Sequence, residues 1–168
     1  EQGRKIVAKN VAEALRRFYP EAYTEVSYKQ VARTLFFQDC EHSEPWGQMQ
    51  TLSREKASSG KFSSKISSAN PYSITFEKPL RALPDTSLHW MFLEAMAFQE
   101  SPEHNTKLIL DITGPNYERY WKSWSLQDLS PVTGQWGKVK FQLDLPDDIA
   151  KAGLIKIFFE NSSDIPVY

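Results

Sequence analysis

Apolar residues in the first twenty positions repeat with a helical period. Val7, Val11, Leu15 and Phe18 fall four, four and three residues apart, lining one stripe of an amphipathic helix over residues 4–19. Arg16 and Arg17 sit in its last turn, where cations complement the helix dipole, and Pro20 ends it. The stripe needs a cover, supplied by the domain that follows or by one that precedes. A second short helix is expected from Ser27, because Ser27-Tyr28-Lys29-Gln30 has the spacing of a capping box.

After Phe36 the period changes to two. Residues 62–68 and 72–76 alternate apolar side chains with Ser or Thr around the turn-forming Ala69-Asn70-Pro71. In residues 88–98, Leu88, Trp90, Phe92, Met96 and Phe98 share one face, while His89, Met91, Leu93, Ala95 and Ala97 share the other. Both faces are largely apolar, which predicts a central strand covered on both sides. Residues 107–113 end at Gly114-Pro115; residues 136–145 alternate through Val139, Phe141, Leu143 and Leu145 and close at Pro146-Asp147-Asp148; residues 154–160 precede the turn Asn161-Ser162-Ser163-Asp164. Short strands punctuated by turn chemistry every ten residues or so predict an all-β domain, a two-sheet antiparallel sandwich. Its expected core includes Ile66, Ile74, Trp90, Phe92, Leu110, Phe141, Leu143, Ile157 and Phe159. Residues 1–34 then form a helical segment, residues 35–168 the sandwich, and helix stays in the N-terminal third.

Composition removes several functions. The chain of 168 residues has room for one domain of ordinary size, and 20 Lys plus Arg against 21 Asp plus Glu give no basic footprint for nucleic acid. No apolar run approaches the roughly 20 residues that span a bilayer, so membrane insertion is not expected. The single Cys40 excludes an internal disulfide, and no Cys/His spacing suits zinc. His42, His89 and His104 lack ligand spacing, and the nucleophile-elbow, phosphate-loop and dinucleotide signatures are missing. The chain opens in helical pattern at Glu1 without an initiator Met, as expected of a piece of a longer polypeptide.

Several elements in order carry a resemblance. They are Gln38-Asp39-Cys40-Glu41, Trp46, then Ala57-Ser58-Ser59-Gly60-Lys61-Phe62-Ser63, the long apolar run 88–98, the Trp-containing run 121–126, Gly134-Gln135-Trp136, and residues 155–161 ending in Asn. Over residues 36–168 the chain resembles the galactose-binding-like jelly-roll domains that serve as carbohydrate-binding modules in bacterial surface and polysaccharide-utilisation proteins. The resemblance implies a jelly-roll sandwich, an extracytoplasmic location, other domains of the same polypeptide as neighbours, and a polysaccharide or oligosaccharide as ligand. It also implies a structural Ca²⁺ held by Asp39 and Glu41, two residues apart in the expected opening strand. The family's closing pair of aspartates does not occur before Tyr168.

Sugars are bound by flat rings against their C–H faces and by polar side chains on their hydroxyls. The segment from Asn116 to Trp124 offers both: Tyr117, Trp121 and Trp124 as rings, with Asn116, Glu118 and Arg119 as polar partners. Alternation puts Trp121 and Trp124 on opposite strand faces, so one of the two belongs to the core. Asp39, Glu41, Glu94 and Asp111 all fall on expected strands. Glu94 among apolar neighbours must either shift out to solvent or pair with a cation. The expected function is a non-catalytic, carbohydrate-binding module. The rival is an interaction sandwich without a sugar site, which would bury all five Trp; a glycosidase, needing two spaced carboxylates, ranks third.

Overall fold

The computed structural model describes residues 36–41, 46–83, 90–114, 117–146 and 153–168. The helix expected at residues 4–19 and the one expected from Ser27 lie outside them. Eight strands form among the described residues: β1 Leu52–Ser53, β2 Ser63–Ser64, β3 Phe76–Pro79, β4 Trp90–Phe98, β5 Thr106–Gly114, β6 Tyr117–Ser125, β7 Trp136–Asp144 and β8 Leu154–Asn161. Every pairing between them is antiparallel.

One sheet has the order β3-β8-β5-β6, and a second layer is built on β4-β7, which pair along all nine residues from Trp90↔Asp144 to Phe98↔Trp136. The end of the chain extends this layer. Phe98 and Tyr168 exchange both backbone hydrogen bonds, at 2.7 and 3.0 Å, and Val167 bridges Ile66 and Gln99. The two layers meet face to face. Ile66, Ala97, Val139 and Val167 of one pack with Leu126, and Phe159 of the other closes on them; Trp124 of β6 lies with its ring centroid 4.6 Å from that of Phe141 on β7. The architecture is thus a mainly antiparallel β-sandwich, as the alternation predicted.

Three expectations need correction. The run 90–98 is not covered on both sides: β4 turns Met91, Leu93, Ala95 and Ala97 inward, while Phe92 stays 39% and Met96 41% exposed. The strand buried on both faces is β5, where Leu108, Ile109, Leu110 and Ile112 are all fully buried, because β6 and β8 flank it in the middle of its sheet. Of the expected core, Ile66, Ile74, Leu110, Leu143 and Ile157 are buried, Trp90, Phe141 and Phe159 are half-buried, and Phe92 is exposed. Secondly, helix is not confined to the N-terminal third. Besides the 3-10 turn at Met49–Thr51 within that third, Leu126–Leu129 makes one α-helical turn whose Leu126 plugs the core, and a single 3-10 turn occurs at Leu80–Ala82. Thirdly, residues 36–41 form no strand, and Cys40 has φ 64°, a left-handed conformation that breaks the period of two assumed there.

Candidate functional site

The β5 register decides which side chains reach the outer surface of the four-stranded sheet. Directly opposite residues of an antiparallel pair share a face. Leu108, Leu110 and Ile112 stand beside Phe159, Ile157 and Ile155 of β8, the inner face. The intervening residues Lys107, Ile109 and Asp111 therefore face outward, beside Glu160, Phe158 and Lys156 of β8 and beside Ser125, Ser123 and Trp121 of β6.

On this outer face Asp111 and Arg119 make a two-pronged ion pair. Arg119 Nε donates to Asp111 Oδ1 and Nη2 to Oδ2, each at 2.8 Å. The carboxylate is buried while the guanidinium side chain is mostly exposed, so the arginine is anchored at its base and turned to solvent. Hydrogen bonding to Asp111 and its charge raise the Arg119 pKa, keeping it a cation at any working pH. Trp121, directly across from Asp111, is 44% exposed. Farther across the sheet Tyr72, 43% exposed, bridges to Glu160 and meets Phe158 edge-on with centroids 5.7 Å apart. Lys156 pairs with Glu77 at 3.0 Å. Exposed rings and fixed polar groups thus share one sheet face.

The two tryptophans of β6 part as alternation required. Trp121 takes the outer face; Trp124 stands opposite Leu108 on the inner one and packs against Phe141. Arg119 joins Trp121 outside. Asn116 and the side chains of Tyr117 and Glu118 lie outside what the structure describes. The sequence reading missed Tyr72 and Phe158 because they reach this face from other strands. Alternation in β8 was a usable signal for Phe158, since Ile155, Ile157 and Phe159 all point inward.

Asp39 and Glu41 do other work. Asp39 Oδ1 accepts the Glu41 N–H at 2.9 Å, and Glu41 Oε1 accepts the N–H groups of Lys61 and Phe62, the latter at 2.7 Å. A Cβ at Gly60 would come within 2.6 Å of that oxygen, and Gly60 has φ 65°, so glycine is required for this approach. Calcium takes six to eight oxygen ligands. Here an oxygen of each carboxylate is committed to N–H donors, and no group of three or more His, Cys, Asp or Glu gathers among the described residues. Glu41 staples the loop at Gly60. Cys40, between them, has its thiol pKa pushed up by burial and by the charges of Asp39 and Glu41, the reverse of an activated nucleophile.

Glu94 and His104 are both engaged by neighbouring groups. Glu94 faces solvent and takes Lys138 at 2.5 Å and Lys140 at 3.7 Å; hydrogen bonding to Lys138 holds its carboxyl below the usual range, opposite to what a general acid needs. His104 is buried beside Gln99. Gln99 Nε2 donates to the carbonyls of Ser130 and Val132, so its Oε1 accepts from His104 Nε2, while His104 Nδ1 accepts the Thr106 N–H at 3.2 Å. Both ring nitrogens are satisfied only in the neutral tautomer, and burial lowers the His104 pKa accordingly. No helix among the described residues is long and apolar enough to cross a membrane.

No family model matches the chain, and no curated protein matches it. Among solved structures it is similar to carbohydrate-binding modules. One is the CBM22-1 and GH10 portion of Clostridium thermocellum endo-1,4-beta-D-xylanase 10B complexed with xylohexaose: 16% identity over 70% of this chain and 22% of that one, TM-score 0.46. The C-terminal family 22 module of the same xylanase gives 15% identity, 70% and 73% coverage and a TM-score of 0.47. A family 16 carbohydrate-binding module gives 12% identity, 70% and 78% coverage and a TM-score of 0.46. The chain spans less than a quarter of the length of the first of these.

Proposed function

We infer that residues 35–168 are a non-catalytic carbohydrate-binding module of the jelly-roll type, a domain of a larger exported protein, which holds a polysaccharide or oligosaccharide on the outer face of the four-stranded sheet. The observation that carries this reading is Trp121, exposed beside an arginine clamped by a buried carboxylate. A guanidinium has five N–H donors. Asp111 takes one from Nε and one from Nη2, which leaves the Nη1 edge for ligand hydroxyls. An arginine already held in place loses less side-chain entropy on binding, and a ring such as Trp121 supplies apolar area with few rotatable bonds. Tyr72 extends the same face toward the other edge of the sheet. Two coplanar exposed rings beside a groove were expected to favour sugar and five buried Trp the rival interaction module; Trp121, 44% exposed, departs from the second.

Retardation in native gels cast with soluble polysaccharides tests this. The wild type is expected to be slowed by at least one polymer, and Trp121→Ala and Arg119→Ala to be slowed clearly less than the wild type while melting cooperatively. A wild type that no polymer retards, or a Trp121→Ala variant retarded as strongly as wild type, would remove the reading.

A further inference from the structure

The outer face of the other layer has a divided character. Strand β4 sends Trp90, Phe92, Glu94, Met96 and Phe98 outward, and the pairing sets β7 side chains directly opposite, with Asp144 beside Trp90, Gln142 beside Phe92 and Lys140 beside Glu94. A face meant only for water would be polar on both strands, and one built for an apolar partner would be apolar on both. From Trp90 to Glu94 this face presents rings on β4 and hydrogen-bonding groups on β7. Direct cross-strand neighbours lie about 4.5 to 5.5 Å apart, within the reach of one sugar ring. A sugar resting its C–H face on a β4 ring therefore carries its hydroxyl edge over the β7 side chains. The far end differs, because there Phe98 faces Trp136 with centroids 5.7 Å apart and Tyr168 adds a third ring.

At the divided end Trp90 and Phe92 meet edge to face, centroids 4.9 Å apart. Opposite them, Gln142 Nε2 donates to Asp144 Oδ1 at 2.8 Å, which sets an amide and a carboxylate side by side at the surface. Glu94 and Asp144 balance Lys138 and Lys140, so the strip carries no net field that would select a charged ligand. We propose that Trp90, Phe92, Gln142 and Asp144 form a second glycan subsite for a neutral sugar, on the layer opposite Trp121, making the module bivalent. This rests on the carbohydrate reading above.

The test uses the full chain in native gels cast with xylan, galactomannan or mixed-linkage β-glucan. Gln142 and Asp144 are exposed, so Gln142→Ala and Asp144→Ala should keep the fold. Trp121→Ala is expected to weaken retardation and leave a remainder, and adding Gln142→Ala or Asp144→Ala to it should remove that remainder with no change in melting. Should both variants run like their parents in either background while the wild type is retarded, the second subsite is wrong and the first reading stands. If none of the three polymers retards the wild type, both fall. Sedimentation provides the last arm: a concentration-dependent dimer that Phe92→Lys dissolves would overturn the subsite in favour of self-association.

Discussion

Strands β4 and β5 have the same length, and β4 is the more apolar, with eight apolar residues of nine against four, yet β5 is the more deeply buried. In β5 the run Leu108-Ile109-Leu110 is fully buried on both faces, whereas β4 buries its Met91-to-Ala97 face and leaves Phe92 and Met96 well exposed. Position explains this: β5 lies between β6 and β8, while β4 forms its long pairing with β7. Apolar side chains on both faces of a strand therefore have two readings, a central core strand or a core strand with a sticky outer face, and the hydrophobic pattern does not choose between them.

The sharpest way to break this contrast is to shorten one side chain from each strand. Leu110→Ala removes a fully buried side chain and should cost about 2 to 5 kcal/mol through lost transfer energy and the cavity left behind. Phe92→Ala, at the exposed face, should cost about 1 kcal/mol. Urea denaturation of the two variants checks the order, and equal losses would mean that β4 is as central as its sequence suggested.

A smaller effect belongs to the outer face of β5. Arg119→Met leaves the Asp111 carboxylate buried without its partner, so the melting temperature should fall, less than for Leu110→Ala, and the double variant Arg119→Met with Asp111→Asn should recover part of the loss. Calorimetry of the three proteins would decide. A double variant no better than the single one would mean that the pair is not coupled.

Next comes His104, at the junction where β4 hands over to β5. Its folded pKa lies below the ordinary 6.5, so the unfolded chain takes up the proton first as pH falls. The stability linked to this group is complete above about pH 6.5 and is lost as pH drops toward the lower folded value. Melting temperatures between pH 8 and pH 5 should show that slope in the wild type and a flatter one in His104→Gln. Parallel curves would sink the assignment of a neutral, Nε2-protonated ring.

The smallest effect is at Glu94 on the open face of β4. Its pairing with Lys138 lowers its pKa, so the contribution is present above about pH 4.5 and lost as pH falls through the folded value. Exposed to solvent, it should be worth about 0.5 kcal/mol at most. Glu94→Gln should therefore match the wild type in acid and trail it slightly at neutral pH; a large loss at neutral pH would mean that the pair is not solvent-screened.

Much of the sandwich was legible because its signals are local. Gly114-Pro115, Pro146 and Asn161-Ser162 bound strands β5, β7 and β8 close to where the turn residues predicted, and the alternation of Trp121 with Trp124 separated an outer ring from an inner one. What escaped depends on neighbours distant in sequence. The covered face of β4 is set by β7 and the chain end, and the carboxylate that clamps Arg119 beside Trp121 comes from β5. The opening strand expected around Asp39 and Glu41 failed for a local reason: a left-handed Cys40 turns the segment, so no shared strand face forms there.

The central claim is that an exposed ring on β6, and not its inner neighbour, meets a sugar. Titrating the labelled protein with an oligosaccharide of whichever polymer retards it, and following the five Trp indole N–H resonances, addresses that claim most directly. The account predicts that the Trp121 signal moves and saturates while those of Trp124 and Trp46 stay in place. Movement of Trp124 with Trp121 unmoved, or five indole signals that never shift, would contradict it.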